Sequence, residues 1–174
     1  WEQNACPGLT LESLLDRSEV VTVGIDGGGL DDLLGLAVLG RDKITQQWLL
    51  WVRAWAHPSV LARRKEIADR LVNFKEDGDL SLVEEIGEDV DEVADIVRRV
   101  HESGLLAEKG IGVDPVGIGS VIDALVACGI SQDDIVGVSQ GWRLAGAIKT
   151  TERKLAQSAI EHAGQPMMAW CVSN

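Results

Sequence analysis

The sequence lacks the patterns that mark several common kinds of site. Its three cysteines are far apart and form no CxxC pair, which argues against a zinc site and indicates reduced thiols in a cytoplasmic protein. It also has no P-loop, no HExxH pair and no GxSxG elbow, so neither an ATP-binding P-loop, a zinc protease helix nor a serine hydrolase triad is indicated. No apolar run approaches the roughly 20 residues that span a bilayer, and the N-terminus has no signal-peptide pattern.

The length, 174 residues, fits a single domain with a real core, and the hydrophobic fraction of 45% and charged fraction of 25% are typical of a soluble globular protein. The chain starts at Trp1 rather than Met and ends abruptly. We therefore expect residues 1–174 to be one domain of a longer protein.

The acidic charge is concentrated in one segment. The formal net charge is −12, and ten carboxylates but no Lys or Arg lie between Glu76 and Asp95. Blocks of like charge are usually solvated surfaces. Outside this block the balance is nearly neutral, and the segment from Trp142 to Lys154 is basic. The net charge alone therefore does not exclude binding to a nucleic acid.

Residue patterns predict strands and helices in a defined order. Runs rich in β-branched or apolar residues predict strands, and apolar residues at helical spacing predict helices. The predicted strands are 20–26, 33–40, 46–54, 111–114 and 134–139, and the predicted helices are 59–73, 90–103, 119–128 and 153–163. Short loops between the first three strands suggest an antiparallel meander, followed by parallel β-α-β units. The order predicts an α/β domain with a mixed central sheet of about five strands flanked by helices, which is the RNase H-like order.

Two aspartates stand where strands end. Asp26 ends the first predicted strand and Asp114 ends the fourth. Because sites in open α/β sheets form at the carboxyl ends of strands, both carboxylates would face one pocket if these strands are neighbours. Carboxylates suit Mg²⁺ or Mn²⁺, and two such ions can promote phosphodiester hydrolysis. The alternative is that each aspartate only caps a strand or forms a turn.

Other acidic residues near these positions are less informative. Asp31 and Asp32 follow the glycine turn Gly27-Gly28-Gly29 and are further candidate metal ligands or supporting groups. Two exposed turn residues would give the same pattern. Asp123, inside a predicted helix, is interpreted as exposed or paired with a base.

Four short motifs occur in the order found in one known family. Val23-Gly24-Ile25-Asp26, the glycine turn and Asp32 resemble the first nuclease motif of phage large terminases, and Gly112-Val113-Asp114-Pro115 resembles the second acidic motif. Val138-Ser139-Gln140-Gly141 and the tail from His162 to Asn174 resemble the end of the nuclease domain in the HK97-like group.

The resemblance implies a function and its components. It implies an RNase H-like nuclease that cuts concatemeric double-stranded phage DNA in the host cytoplasm, with Mg²⁺ or Mn²⁺ held by Asp26 and Asp114. It also implies an ATPase domain before Trp1, no ATP in this domain, and other terminase subunits and a portal protein as partners. The family's third acid, on a last helix, has no match here, so this fragment is expected to have an incomplete metal centre. Phosphate contacts are expected from Arg143, Lys149, Arg153 and Lys154, although each alone also fits a solvated helix charge.

Two other functions stay open on the sequence. Gly24 to Gly29 resembles the first phosphate-binding hairpin of actin-like sugar kinases and ATPases, but Leu30-Asp31-Asp32 follows where a Thr or Ser is usual. A non-catalytic interaction module, in which the acidic segment from Glu76 to Asp95 docks a basic partner of the packaging motor, also fits.

Overall fold

The computed structural model describes residues 1–30, 32–116 and 118–173. Helices and strands alternate along most of the chain. In chain order they are α1 Leu11–Arg17, β1 Ser18–Gly27, β2 Leu34–Asp42, β3 Trp48–Ala56, α2 Ser59–Arg63, α3 Ala68–Glu76, β4 Leu80–Leu82, α4 Glu88–Glu102, β5 Leu106–Val113, α5 Gly119–Ala127, β6 Ile135–Gly137, α6 Ala145–Ala156, β7 Ile160–His162 and α7 Pro166–Ser173. Within these described ranges, no helix has the length and apolar character needed to cross a bilayer.

The strands form one mixed sheet. β1, β2 and β3 are antiparallel neighbours, β5 lies parallel to the other side of β1, and β6 lies parallel to β5. β4 and β7 both pair in parallel with the outer edge of β3. The predicted α/β class, with a mixed sheet whose first three strands are antiparallel, is confirmed.

Some element boundaries differ from the sequence expectation. The predicted helix 59–73 is two helices, because residues 62–66 are all exposed and the chain leaves helical geometry at Arg64 (φ −112°, ψ 58°). The predicted helix 153–163 is wrong in its second half, where Ile160–His162 forms β7 against β3. Pairing with β3 overrides the local helical pattern there. The short strands β4 and β7, and the helices α1, α6 and α7, have no counterpart in the sequence prediction, apart from the end of α6.

The two faces of the sheet are packed differently. Alternate residues of a strand point to opposite faces, and Val21, Val23 and Ile25 of β1 point into a core shared with α1, α4 and α5. A second, smaller core on the other face joins α2, α3, β4 and Met167 of α7. It covers only the β3 side of that face, so the sheet is open above the ends of β1 and β5.

A side chain completes the hydrogen bonding along the edge of β3. β7 pairs with Trp48–Leu50 and β4 pairs with Ala54–Ala56, which leaves Val52 between them. The Gln165 amide fills this gap: its Nε2 donates to the Val52 carbonyl at 2.9 Å, and its Oε1 accepts from the Val52 N–H at 3.3 Å. This contact also fixes the chain immediately before α7.

Asp42 anchors the β2–β3 connection and is buried. Its Oδ1 accepts hydrogen bonds from the N–H groups of Thr45 and Ile44, both at 2.9 Å, and Arg17 Nε lies 2.9 Å from Oδ2. The Thr45 and Ile44 N–H groups and the Arg17 guanidinium lower the pKa of Asp42 from 3.8 to about 2, against the opposing effect of burial.

Because the folded pKa lies below the unfolded one, ionised Asp42 stabilises the fold above pH 3.8, and this stability is lost as the pH falls toward 2. We expect Asp42→Asn to lower the free energy of unfolding at pH 7 by about 2 kcal/mol, with a much smaller difference at pH 2. Guanidinium denaturation at both pH values tests this, with the exposed Asp16→Asn as the control. An equal deficit at both pH values would contradict it.

Candidate functional site

Asp26 and Asp114 lie side by side at one end of the sheet. β1 and β5 are parallel neighbours, and Ile25 pairs with Val113. The Asp114 N–H donates to the Ile25 carbonyl at 3.2 Å. Each aspartate comes directly after one of these paired residues. Neighbouring strands are about 4.8 Å apart, so the two aspartates lie at adjacent positions where β1 and β5 end.

The two aspartates line a cavity of about 600 Å³ on the uncovered face of the sheet. Its floor is made of strand residues with little or no side chain, namely Gly24, Gly35, Ala37, Ala54 and Gly112. Met167, Met168 and Cys171 of α7 form one wall, and Gln140 and Leu144 lie on another side. The cavity therefore has a backbone floor, a largely apolar wall and carboxylates at one end.

Two glycines of β1 differ in whether the backbone requires them. Gly27 is required by the turn, because its φ is +85° and an added Cβ would lie 2.0 Å from the Leu33 carbonyl oxygen. Gly24 has no such constraint: its φ is not in the left-handed region, and an added Cβ would meet nothing within 4 Å. Glycine inside a strand weakens it and often marks a close approach by a ligand.

Among the described residues, no cationic side chain pairs with the carboxylate of Asp26 or of Asp114. Asp26 is exposed, and among the described residues nothing donates a hydrogen bond to its side chain. Asp114 is half-buried, and its Oδ1 accepts from the Val116 N–H at 2.9 Å. Arg53 lines the cavity, but its guanidinium donates to Ser81 Oγ at 2.8 Å and lies over the Trp55 ring. Two neighbouring carboxylates without a counter-charge favour a bound cation.

The donor set fits a hard divalent cation. Mg²⁺ is commonly bound by one or two carboxylates, with water and substrate phosphates completing its coordination. Over the described part of the chain there is no group of three or more His, Cys, Asp or Glu side chains arranged to hold a metal ion. Asp26 and Asp114 would thus offer a cation two carboxylates, and its other ligands would have to come from elsewhere.

Asp32 lies on the cavity but is already engaged. Its Oδ1 accepts from the Leu33 N–H at 2.9 Å and lies 3.3 Å from Arg64 Nη2. These contacts engage Oδ1, so a metal would be bound through Oδ2 or in competition with Arg64. Asp31, the other candidate in this turn, lies outside the described residues. Asp123 is exposed on α5.

The four basic residues predicted to contact phosphate fall into two groups. Arg143 precedes α6, close to the cavity, and donates to Ser139 Oγ at 3.1 Å. Lys149 and Arg153 are exposed on α6. Lys154 instead places its Nζ 5.0 Å from the centre of the Trp48 ring. Trp48 lies four residues along β3 from Val52, which lines the cavity, or roughly 13 Å away.

Asp79 is a cavity residue that the sequence interpretation misses. It lines the same cavity, is only 7% exposed, and accepts a hydrogen bond at Oδ2 from the Met167 N–H at 2.9 Å. Asp79 therefore holds the first turn of α7, and with it the apolar wall. The segment Asp77-Gly78-Asp79 reads as a loop in the sequence, and only the following apolar strand hints that Asp79 is buried.

The fold matches that of a known protein. Over 93% of its length the chain resembles the crystal structure of the HK97 bacteriophage large terminase, with a TM-score of 0.66 and 19% sequence identity. The chain spans 35% of the length of that protein. At this level of identity the match establishes the fold. It confirms the RNase H-like class, and the resemblance to phage large terminases at the level of fold.

A second solved structure is more distant. The human cytomegalovirus terminase nuclease domain, soaked with Mn and bound to an inhibitor, matches 85% of the chain and 66% of its own length, with a TM-score of 0.42 and 12% identity. No family model matches the sequence, and no curated protein matches it.

Proposed function

We propose that this chain is the nuclease domain of a phage DNA-packaging terminase, a metal-dependent endonuclease that cuts concatemeric double-stranded DNA. One observation carries the proposal: Asp26 and Asp114 lie side by side at an open floor of strand backbone, with no counter-charge from the part of the chain that the structure describes. The fold shared with the HK97 large terminase supports it. The other terminase subunits, the portal protein and the host cytoplasm belong to the same proposal.

The proposal gives separate roles in hydrolysis to the aspartates, the glycine floor and the basic residues. Asp26 and Asp114 would hold Mg²⁺ or Mn²⁺, which when bound supplies charge neutralisation at the scissile phosphate and activation of a water molecule. The floor around Gly24 gives a phosphodiester room to approach the carboxylates. Arg143, Lys149 and Arg153 are proposed to contact neighbouring phosphates.

A two-metal arrangement needs more oxygen ligands than these two aspartates provide. Asp32 is the nearest candidate on the cavity, but it is held by Arg64. Asp79 is committed to the first turn of α7. We therefore propose that one metal is held by Asp26 and Asp114, and that a second metal depends on Asp31, on Asp32 or on a carboxylate outside residues 1–174.

The direct test incubates the chain with supercoiled plasmid in Mn²⁺, in Mg²⁺ and in EDTA. We expect nicked and linear products with at least one metal and none in EDTA. Calorimetric titration with Mn²⁺ and with ATP separates the alternatives. ATP binding would favour the actin-like function. The absence of metal binding and of cleavage, with retained binding to a basic partner through the segment Glu76–Asp95, would favour an interaction module.

A further inference from the structure

One tryptophan stands apart from the others. Trp142 is 83% exposed, whereas the other five tryptophans are buried or half-buried. It lies in a 3₁₀ turn, Gly141–Leu144, that runs directly into α6, and no residue of α6 is buried. Its ring is in contact with Arg143, whose Cζ lies 5.5 Å from the ring centre. A flat aromatic surface is therefore presented to solvent.

Basic residues follow Trp142 along α6. Lys149 and Arg153 lie four residues apart and share one side of this helix, and Trp142 lies in the 3₁₀ turn that leads into it. Lys149 and Arg153 make no ion pair or side-chain hydrogen bond with any described residue. In a chain of net charge −12, two cationic side chains without such contacts are suited to binding an anionic partner.

This surface, which we call the α6 stripe (Trp142, Arg143, Lys149 and Arg153), begins beside the carboxylate cavity. Gln140 and Leu144, on either side of Trp142, both line that cavity. At 1.5 Å per helical residue, Lys149 and Arg153 lie roughly 10 and 16 Å beyond Trp142. At about 3.4 Å of duplex axis per nucleotide, these distances correspond to roughly three and five nucleotides of one strand in B-form geometry.

We propose that Trp142 stacks on an unpaired nucleobase next to the cleavage point, while the three basic residues of the α6 stripe contact phosphates of the same strand. The inference rests on the proposed nuclease function and defines its substrate further. A tryptophan ring stacks only on a base whose face is free. The preferred substrate is therefore DNA with an unpaired or splayed segment at the site of cutting, rather than an undistorted duplex.

The test measures binding of fluorescein-labelled (dT)20 and of a 20-base-pair duplex to the full chain in EDTA. We expect Trp142→Ala to weaken (dT)20 binding about tenfold or more, to affect the duplex less, and to leave the salt dependence unchanged. Trp142→Phe retains most of the affinity. The double variant Lys149→Ala, Arg153→Ala weakens the binding of both DNA ligands. For the single strand, it lowers the slope of log affinity against log salt concentration by roughly 0.7 for each removed charge.

The control is Ile44→Ala, since Ile44 is 84% exposed at the opposite end of the sheet, and circular dichroism checks the fold of each variant. Unchanged (dT)20 affinity in Trp142→Ala, with plasmid cleavage intact, would overturn the stacking role, leave the nuclease in place and point to a protein partner. Loss of affinity in Trp142→Ala, in a chain that cleaves no DNA with any metal, would support stacking and reject nuclease activity of residues 1–174.

Discussion

Replacing Asp26 or Asp114 with asparagine is expected to reduce metal-dependent plasmid cleavage by roughly 1000-fold. An asparagine keeps the shape of the side chain but removes the charge that holds the cation, and metal stabilisation of the transition state is worth several kcal/mol, with each 1.36 kcal/mol a factor of ten. The initial rate of plasmid nicking in Mn²⁺ is the measurement.

The same variants are expected to keep or gain stability. The two aspartates lie at adjacent positions, and no cation among the described residues pairs with them. Neutralising one of two neighbouring like charges is therefore expected to cost no stability in the metal-free protein. Thermal unfolding in EDTA tests this. Asp123→Asn is the matched control, because Asp123 is exposed on α5, which packs against the other face of the sheet. Wild-type cleavage rates in both Asp26→Asn and Asp114→Asn would remove the basis of the proposed function.

Replacing Gly24 with valine is expected to reduce cleavage by about 100-fold while the stability of the chain is unchanged or raised. An added Cβ at Gly24 meets nothing within 4 Å in the free protein, and β-branched residues favour strands by up to about 1 kcal/mol. The added methyl groups, however, occupy the floor where a phosphodiester would approach Asp26.

A graded series makes this prediction sharper. Gly24→Ala should lie between the wild type and Gly24→Val in cleavage rate. Gly119→Ala at the start of α5 is the control, because a Cβ there also meets nothing within 4 Å. Cleavage and thermal unfolding are measured on the same preparations. If Gly24→Val were fully active, the substrate would not use the floor of this cavity.

The central sheet is predictable from the sequence because its strands are long. β1, β2 and β3 have nine or ten residues each, enough for alternation and turn residues to define them. The same reasoning places Asp26 and Asp114 at strand ends, and the parallel pairing of β1 with β5 brings them together. Their adjacency follows from strand order, which one sequence can suggest through its β-α-β pattern.

The parts that the sequence misses depend on contacts between distant segments. β4 and β7 have three residues each, too few for a pattern, and they exist because β3 offers an edge to pair with. α6 has no buried residue, so the apolar periodicity that predicts most helices is missing there. Asp79 becomes a cavity residue only because α7, some ninety residues later, places the Met167 N–H against it.

The Gln165 amide has a consequence for how this protein behaves at high concentration. A strand with a continuous free edge is a template on which another chain can add a strand and begin to aggregate. The free edge of β3 is covered in turn by β7, by the Gln165 side chain and by β4. What remains exposed on this side is the outer edge of two strands of three residues each, instead of one strand of nine. At the opposite edge of the sheet, β6 is equally short. The chain thus carries a wide sheet while offering other chains very little strand to extend.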